Sequence, residues 1–387
     1  MFQPLLYQVA TGQLSPEDIA YPIRSIFSGN ENVTVIKGTV QAVNIDRKRV
    51  ELHEYALFYD YLIISAGVMP DYFGHEDWVY FAPGLKTIQD ALSMRMRILN
   101  TFEKAEREQN SKSLNFVIIG GGPTGVELSG ALAELSKDIL KKEFRNIKSA
   151  QAHIYLVEAG NTILNGFPAG LIDQAKKKLI KLGVIILENS RVMQINDSAV
   201  EIRSSHKSAF IETKTILWAA GVKAADMRSF FKNSEEIKVD HKNRIAVNSD
   251  LTFGSCKDIF AVGDISVLNN KPLPGIAPVA IQQGQYAAKK ILSDINGEKT
   301  ASFHYRDKGK MAVIGRNAAI VDFGFLRFSG FFAWLIWIFI HIAYLIGFQK
   351  KFLVLLNWAW NYFKKNATAR IVFGCGDIED GSSSLKC

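Results

Sequence analysis

Asn115-Phe116-Val117-Ile118-Ile119-Gly120-Gly121-Gly122-Pro123-Thr124-Gly125-Val126-Glu127-Leu128 decides the fold. Phe116 to Ile119 form a short apolar run, the pattern of a buried strand. It flows straight into glycines at Gly120, Gly122 and Gly125. Each has its own physical task at that spacing. Gly120 permits a tight turn out of the strand, Gly122 lets backbone approach a pyrophosphate, and Gly125 lets the next helix pack closely on the sheet. The stretch Val126 to Leu135 predicts that helix, whose N-terminus offers free N–H groups and positive potential to phosphate.

A glycine turn alone is a weak signal. Here a strand precedes it, a helix follows, and a second strand, His153 to Val157, ends at an acid, Glu158. An acid at that place favours the ribose 2′-hydroxyl of NADH and repels the extra phosphate of NADPH. A purely structural glycine loop is the competing reading.

Working outward, Ser15-Pro16-Glu17-Asp18 predicts a helix start, and residues 33–58 predict antiparallel strands turning near Asp46-Arg47. Tyr61 to Gly67 reads as a buried strand ending in a glycine turn. An amphipathic helix is expected from Thr87 to Gln109, with Arg95, Lys104 and Glu108 on its solvated face. Beyond Glu158 the pattern predicts a helix at 171–182 and strands near 184–187, 199–203 and 215–218. DIFAVGD, 258–264, predicts a strand with a terminal acid, and Pro278 to Ser293 predicts a helix.

Whole-chain properties narrow the class. With 387 residues there is enough chain for two or three cores, and 48% hydrophobic against 22% charged residues argues for a globular protein. The net charge of +8 suits an anionic surface. No dense basic stripe is interleaved with stacking aromatics, so nucleic acid is not expected as a partner. Cys256, Cys375 and Cys387 form no CxxC pair, which argues against a disulfide framework or a metal site. The N-terminus lacks the basic start of a signal peptide. No solenoid repeat is visible.

The segments FQPLLYQVATGQLSPEDIA, YDYLIISAG, NFVIIGGGPTGVELSGALAE, LVEAG, ILWAAGV, DIFAVGD and APVAIQQGQYAAKKI together resemble the type II NADH:quinone oxidoreductases over nearly the whole chain. These are flavoproteins with two dinucleotide-binding domains. The resemblance implies an α/β fold of two Rossmann-like, doubly wound domains, one inserted in the other, with C-terminal membrane-anchoring helices. The expected segments are 1–110 (first part of an FAD domain), 111–225 (NADH domain), 226–300 (second part of the FAD domain), 301–373 (membrane-anchoring region) and 374–387 (mobile tail).

The resemblance also implies roles. Asp264, after Gly263, would bond the FAD ribitol, and Ala277 would lie near the isoalloxazine. Ala10, Thr11 and Lys308 would lie near the flavin and Val40 near the adenine, with Ala66 and Gly67 in the flavin-side turn. Gly221 would line the nicotinamide cleft and Glu127 would approach the nicotinamide–flavin contact. Proton handling by Glu127 and a structural role, pairing at the helix start, are the two readings of that side chain. Pro278 and Gln282 would face the quinone, although many relatives carry Ala-Gln where Ala277-Pro278 stands. The family opens with a βαβ unit that holds the FAD pyrophosphate. This chain starts several tens of residues into that pattern, so weak FAD binding, or none, is expected of these residues alone.

Phe328 to Phe348 carries no charge apart from His341. At about 1.5 Å per residue it could cross a core of roughly 30 Å. Yet Arg316 and Arg327 precede it, and the next run, Phe352 to Phe363, is short and bracketed by Lys350, Lys351, Lys364 and Lys365. Trp358, Trp360 and Tyr362 suit an interface. Two segments lying in one leaflet fit better, with His341 a lone polar residue among them. A dimer interface or a core is the alternative use of these aromatics.

The expected activity is therefore hydride transfer from NADH to FAD and two electrons onward to a membrane quinone without ion pumping. The expected location is the cytoplasmic face of a bacterial inner membrane, with a homodimer as a further expectation. A disulfide reductase is disfavoured because it needs a redox-active cysteine pair beside the flavin, and the sequence has none. A ferredoxin reductase would not need the apolar tail. A truncated, non-catalytic, NAD-binding membrane-associated protein is the alternative.

Overall fold

The strand expected before the glycine turn, β1 (Asn115–Ile119), sits inside a four-stranded parallel sheet. Its neighbours are β2 (His153–Val157), β3 (Val184–Leu187) and β4 (Thr215–Trp218), in the order β4-β1-β2-β3. Register pairs Ile118 with both Leu217 and Leu156. Alternation along β1 explains why it is apolar throughout. Phe116 and Ile118 enter the main core, whereas Val117 and Ile119 enter a second cluster on the other face with Val200, Ile202 and Trp218. That second face is covered by an antiparallel meander of Arg191–Ile195, Ala199–Ser204 and Lys207–Glu212.

This computed structural model describes residues 1–204, 207–232, 237–268, 272–364 and 369–370. The expected mobile tail, Cys375, Cys387 and Lys365 lie outside the described residues. The chain forms two compact units. The first comprises Met1–Ile26, Tyr72–Gly221 and the described residues from Gly309 onward; the second comprises Phe27–Asp71 and Val222–Lys308. Residues 1–26 and 72–110 thus cluster with the glycine-turn sheet, not with 226–300 as the sequence division had them.

In the first unit, α1 (Leu6–Ala10) packs on α2 (Ile88–Glu108), with α3 (Pro123–Glu134) and α4 (Ala169–Leu182) against the sheet. The turn between Ser15 and Asp18 is a capping box, as the S-P-E-D pattern predicts. A three-stranded antiparallel sheet of β5 (Lys310–Gly315), β6 (Ala318–Asp322) and β7 (Arg327–Gly330) lies on α3. The approach is close: a Cβ at Gly130 of α3 would drive into the Ile314 carbonyl of β5. The chain then forms α5 (Phe331–Tyr344) and α6 (Phe348–Lys364). No helix among the described residues is long and apolar enough to cross a membrane. His341 is buried inward, stacked on Trp337 at 4.0 Å, and its Nδ1 donates to the Trp337 carbonyl at 2.8 Å.

The second unit carries a four-stranded sheet ordered Phe231–Lys232, Val40–Asn44, Arg49–Leu52, Ala56–Phe58. The antiparallel pairs predicted in 33–58 are there, with their turn at 45–48. Leu62–Ile64 pairs in parallel with Ile259–Ala261, and the helix Ala277–Ile295 follows. The expectation of a buried strand at 61–67 is met at Ile64 and corrected at Ile63. Ile63 is 42% exposed, and Ile259–Ala261 is the partner of this strand among the described residues.

A second correction concerns Arg95, expected on the solvated face of α2. It is 4% exposed. Its guanidinium donates to the carbonyls of Val9 (2.7 Å), Leu14 (3.1 Å) and Ala369 (2.6 Å). The periodicity of Ala91, Met94, Ile98 and Phe102 includes position 95 in the buried stripe. Its charge outweighed its spacing in the sequence reading. Lys104 and Glu108 do face solvent, as a 3.6 Å ion pair. Arg95→Ala should cost roughly 3 kcal/mol, since buried carbonyls lose charge-assisted donors. Arg95→Lys should recover only part of this, because one ammonium cannot span three acceptors. Urea unfolding midpoints of the three proteins check it.

Candidate functional site

The glycine turn is built as its spacing demands. Gly120 has φ +108°, and a Cβ there would stand 2.7 Å from the Ala219 and Ala220 backbone at the end of β4. A Cβ on Gly125 would overlap the Gly120 carbonyl and press on Leu156 of β2. Gly122 differs. It is the N-cap of α3 in an ordinary extended conformation (φ −69°), and no atom lies within 4 Å of where its Cβ would be. Two glycines are thus required by protein packing. The third faces open space at a helix N-terminus, which is the cradle a dinucleotide phosphate needs.

Glu158 follows β2 and accepts from the backbone N–H of Gly121 and of Gly160, each at 2.6 Å. The sequence reading gave it a ribose. The structure adds that this carboxylate also shapes the glycine turn. Gly221, at φ +65°, follows β4, and the ring of Phe73 lies against it. Phe73 itself has φ +53° and is 62% exposed at the carboxyl end of the sheet, where ligands of such folds bind.

A cavity of about 90 Å³ opens in the first unit beside α3. Glu127 and Glu134 of α3, Tyr7 and Gln8 of α1, and Trp337 and Trp358 of the C-terminal helices are among its walls. A short chain of bonds closes one side: Trp358 Nε1 donates to Gln8 Oε1 (2.8 Å), and Gln8 Nε2 donates to the Tyr7 hydroxyl (2.9 Å). The Trp337 indole N–H is buried with no partner. Both glutamates are half-buried and line the cavity. Burial pushes the Glu127 carboxyl up to about 8, against one stabilising bond from the Val313 N–H at 3.3 Å. Burial raises Glu134 too, against the Arg316 backbone N–H and the Arg316 charge. The Tyr7 phenol is raised by burial and then by the nearby Glu127.

In the second unit, Gly263 (φ +78°) and Asp264 follow Ile259–Ala261. Gln283 Oε1 accepts from the Gly263 N–H at 2.6 Å, and a Cβ added at Gly275 would stand 3.5 Å from the Asp264 carboxyl. An acid at a strand end beside the N-terminus of the helix Ala277–Ile295 fits a flavin ribitol chain. Ala66, Gly67 (φ +71°), Val40, Ala277, Pro278 and Lys308 also belong to this unit, while Ala10 and Thr11 are buried in the first. Gln282 revises its assignment. Its carboxamide donates to the Arg306 carbonyl and accepts from the Arg306 N–H, both at 3.0 Å, so its polar groups hold backbone. The sequence reading missed Glu134, Gln8 and Trp337. Only Glu134 left a signal there, an acid seven residues after Glu127 on an otherwise apolar helix.

This sheet, turn and acid define a pyridine-nucleotide oxidoreductase fold. The family described as pyridine nucleotide-disulphide oxidoreductase matches residues 1–284. The type II NADH:quinone oxidoreductase Ndh of Mycobacterium tuberculosis (strain ATCC 25618 / H37Rv) is 40% identical, over 92% of this chain and 80% of that protein. NdhA of the same strain, also a type II NADH:quinone oxidoreductase, is 36% identical over 94% and 80%. A solved structure of NDH2 from Plasmodium falciparum in complex with NADH superposes with a TM-score of 0.84 at 20% identity, covering 96% of this chain and 92% of that one. The chain belongs to the type II NADH:quinone oxidoreductases.

Gly125→Ala should destabilise the fold by roughly 3 kcal/mol, whereas Gly122→Ala should leave stability within about 0.5 kcal/mol. Gly122→Ala should instead weaken NADH binding at least about tenfold. Urea unfolding beside an NADH titration separates the two. Glu127 sets a pH dependence. The native carboxyl keeps its proton up to about 8, while the unfolded one releases it near 4.5. Stability should therefore fall as pH rises through that window, by at most about 5 kcal/mol. Glu127→Gln should shrink the fall measured by urea unfolding at about pH 5 and about pH 9.

Proposed function

We propose that this chain oxidises NADH and reduces a membrane quinone without moving ions across the membrane. FAD, when bound, supplies the two-electron relay between the two substrates. The observation that carries this reading is the cavity. It joins α3, the helix that opens on the dinucleotide turn, to the aromatic C-terminal helices through Glu127, Trp337 and Trp358.

In this reading Gly120, Gly122 and Gly125 seat the NADH pyrophosphate at the start of α3, and Glu158 accepts from the ribose hydroxyls. The Glu158 carboxylate disfavours a 2′-phosphate, so NADPH is a poor substrate. Gly221 lines the nicotinamide cleft. Asp264, Gly263, Ala66, Gly67 and Ala277 take the flavin, with Val40 toward its adenine and Lys308 toward its ring. The quinone head enters the cavity, and Glu127 holds a proton there at neutral pH.

The apolar outer face of α5 and α6 meets lipid. Phe332 and Phe339 of α5 are 71% and 75% exposed, and Phe352 and Trp360 of α6 are exposed as well. Arg327, Lys350 and Lys351 lie near this face in sequence, which suits anionic headgroups on the cytoplasmic side better than a second copy of the chain. Both helices lie in one leaflet.

The test is steady-state NADH oxidation by purified protein supplied with FAD and a short-chain quinone. The expected result is quinone-dependent turnover with NADH, at least about tenfold slower with NADPH. NADH binding without any quinone-dependent turnover would establish instead a non-catalytic NAD-binding protein.

A further inference from the structure

Quinone reduction needs two protons as well as two electrons, and the cavity holds two enclosed carboxyl groups. Glu127 and Glu134 stand seven residues apart on α3, two turns of one helix and about 10.5 Å along its axis. That spacing puts both on one helix face. Each carboxyl accepts from a backbone N–H of the adjoining β5 segment, Glu127 from Val313 and Glu134 from Arg316. Those bonds fix the two side chains in the walls of the cavity. The unpartnered Trp337 N–H adds a buried donor in the same walls, and a buried donor of that kind calls for an acceptor such as a carbonyl oxygen.

We infer that Glu134 is the second proton donor to the quinone, acting at one carbonyl end of the ring while Glu127 acts at the other. The inference rests on the assignment of this cavity to the quinone. An O–H bond forms at each quinone oxygen as an O–H bond breaks at each carboxyl. The two electrons come from NADH, and the carboxylates regain protons, so the net change is NADH, one proton and quinone to NAD⁺ and quinol. The groups around Glu134 suit this role. Asp138, on the turn after α3, opposes its ionisation; Lys178 of α4 and Arg316 favour it. Burial outweighs them and holds the proton. Tyr7 and Gln8 of α1 add neutral polar groups, and Trp334, Trp337 and Trp358 of α5 and α6 add no charge.

The test compares Glu134→Gln with the wild type, both flavin-loaded, in two half-reactions. Anaerobic bleaching of the flavin by NADH should stay within about twofold. Reoxidation by a short-chain quinone should slow at least about tenfold, with a flattened pH profile and a larger solvent deuterium effect. Glu134→Ala should recover part of that rate with added formate, which a merely structural acid would not allow. Unchanged reoxidation with an unchanged pH profile would overturn the inference. A wild type that bleaches with NADH but never reduces quinone would instead sink the proposed function. A second measurement needs neither flavin nor turnover. The infrared carbonyl band of protonated carboxyls at about pH 7 should lose one component in Glu134→Gln and keep the one that Glu127 contributes; an unchanged spectrum would overturn the inference where the variant folds poorly in the assay.

Discussion

The first unit depends on one close approach, the backbone of α3 resting against the turn that leaves β1. With any side chain at Gly125 the helix would stand off the sheet. Held flush, α3 points its N-terminus at the phosphate cradle and lays the rest of its length along the core. Gly130 repeats the device on the opposite side, letting β5 close on the same helix. Small residues on both flanks leave α3 clamped between two sheets. Its only long polar side chains in that stretch, Glu127 and Glu134, turn toward the cavity.

That clamp connects chemistry that would otherwise be separate. A single rigid helix begins at the nucleotide turn and ends beside the C-terminal aromatics, with carboxyl groups spaced along it. Rigid elements position reacting groups more accurately than loops do. Burial then supplies what the side chains lack in water, since an enclosed carboxyl retains its proton where an exposed one does not.

Much of this was legible in the sequence because local signals and global fold agree there. The strand, the glycine spacing and Glu158 each specify the same parallel sheet, and each was found where expected. Arg95 was misread because a charge normally marks the solvated face, whereas here it donates to backbone carbonyls of the buried N-terminal segment. Gln282 was assigned by resemblance, and its bonds to Arg306 could not be read from a chain position twenty-four residues away. The cavity was invisible for a similar reason. Its walls come from residues 7–13, 127–139, 313–316 and 334–358, which only the packing of α1, α3, β5, α5 and α6 brings together. No periodicity within any one segment announces that meeting.

The bond from Trp358 to Gln8 has a consequence for how the protein meets its substrate. The helix that closes the cavity also carries the face assigned to lipid. On the proposed assignment of cavity and lipid face, quinone reaches its site from a two-dimensional solvent that touches the wall of the site itself. The quantity that governs saturation is mole fraction in the bilayer, not molarity in the surrounding buffer. Diluting a fixed amount of quinone with empty lipid lowers the rate even when nothing in the aqueous phase has changed, so an apparent KM belongs to the protein and its membrane together.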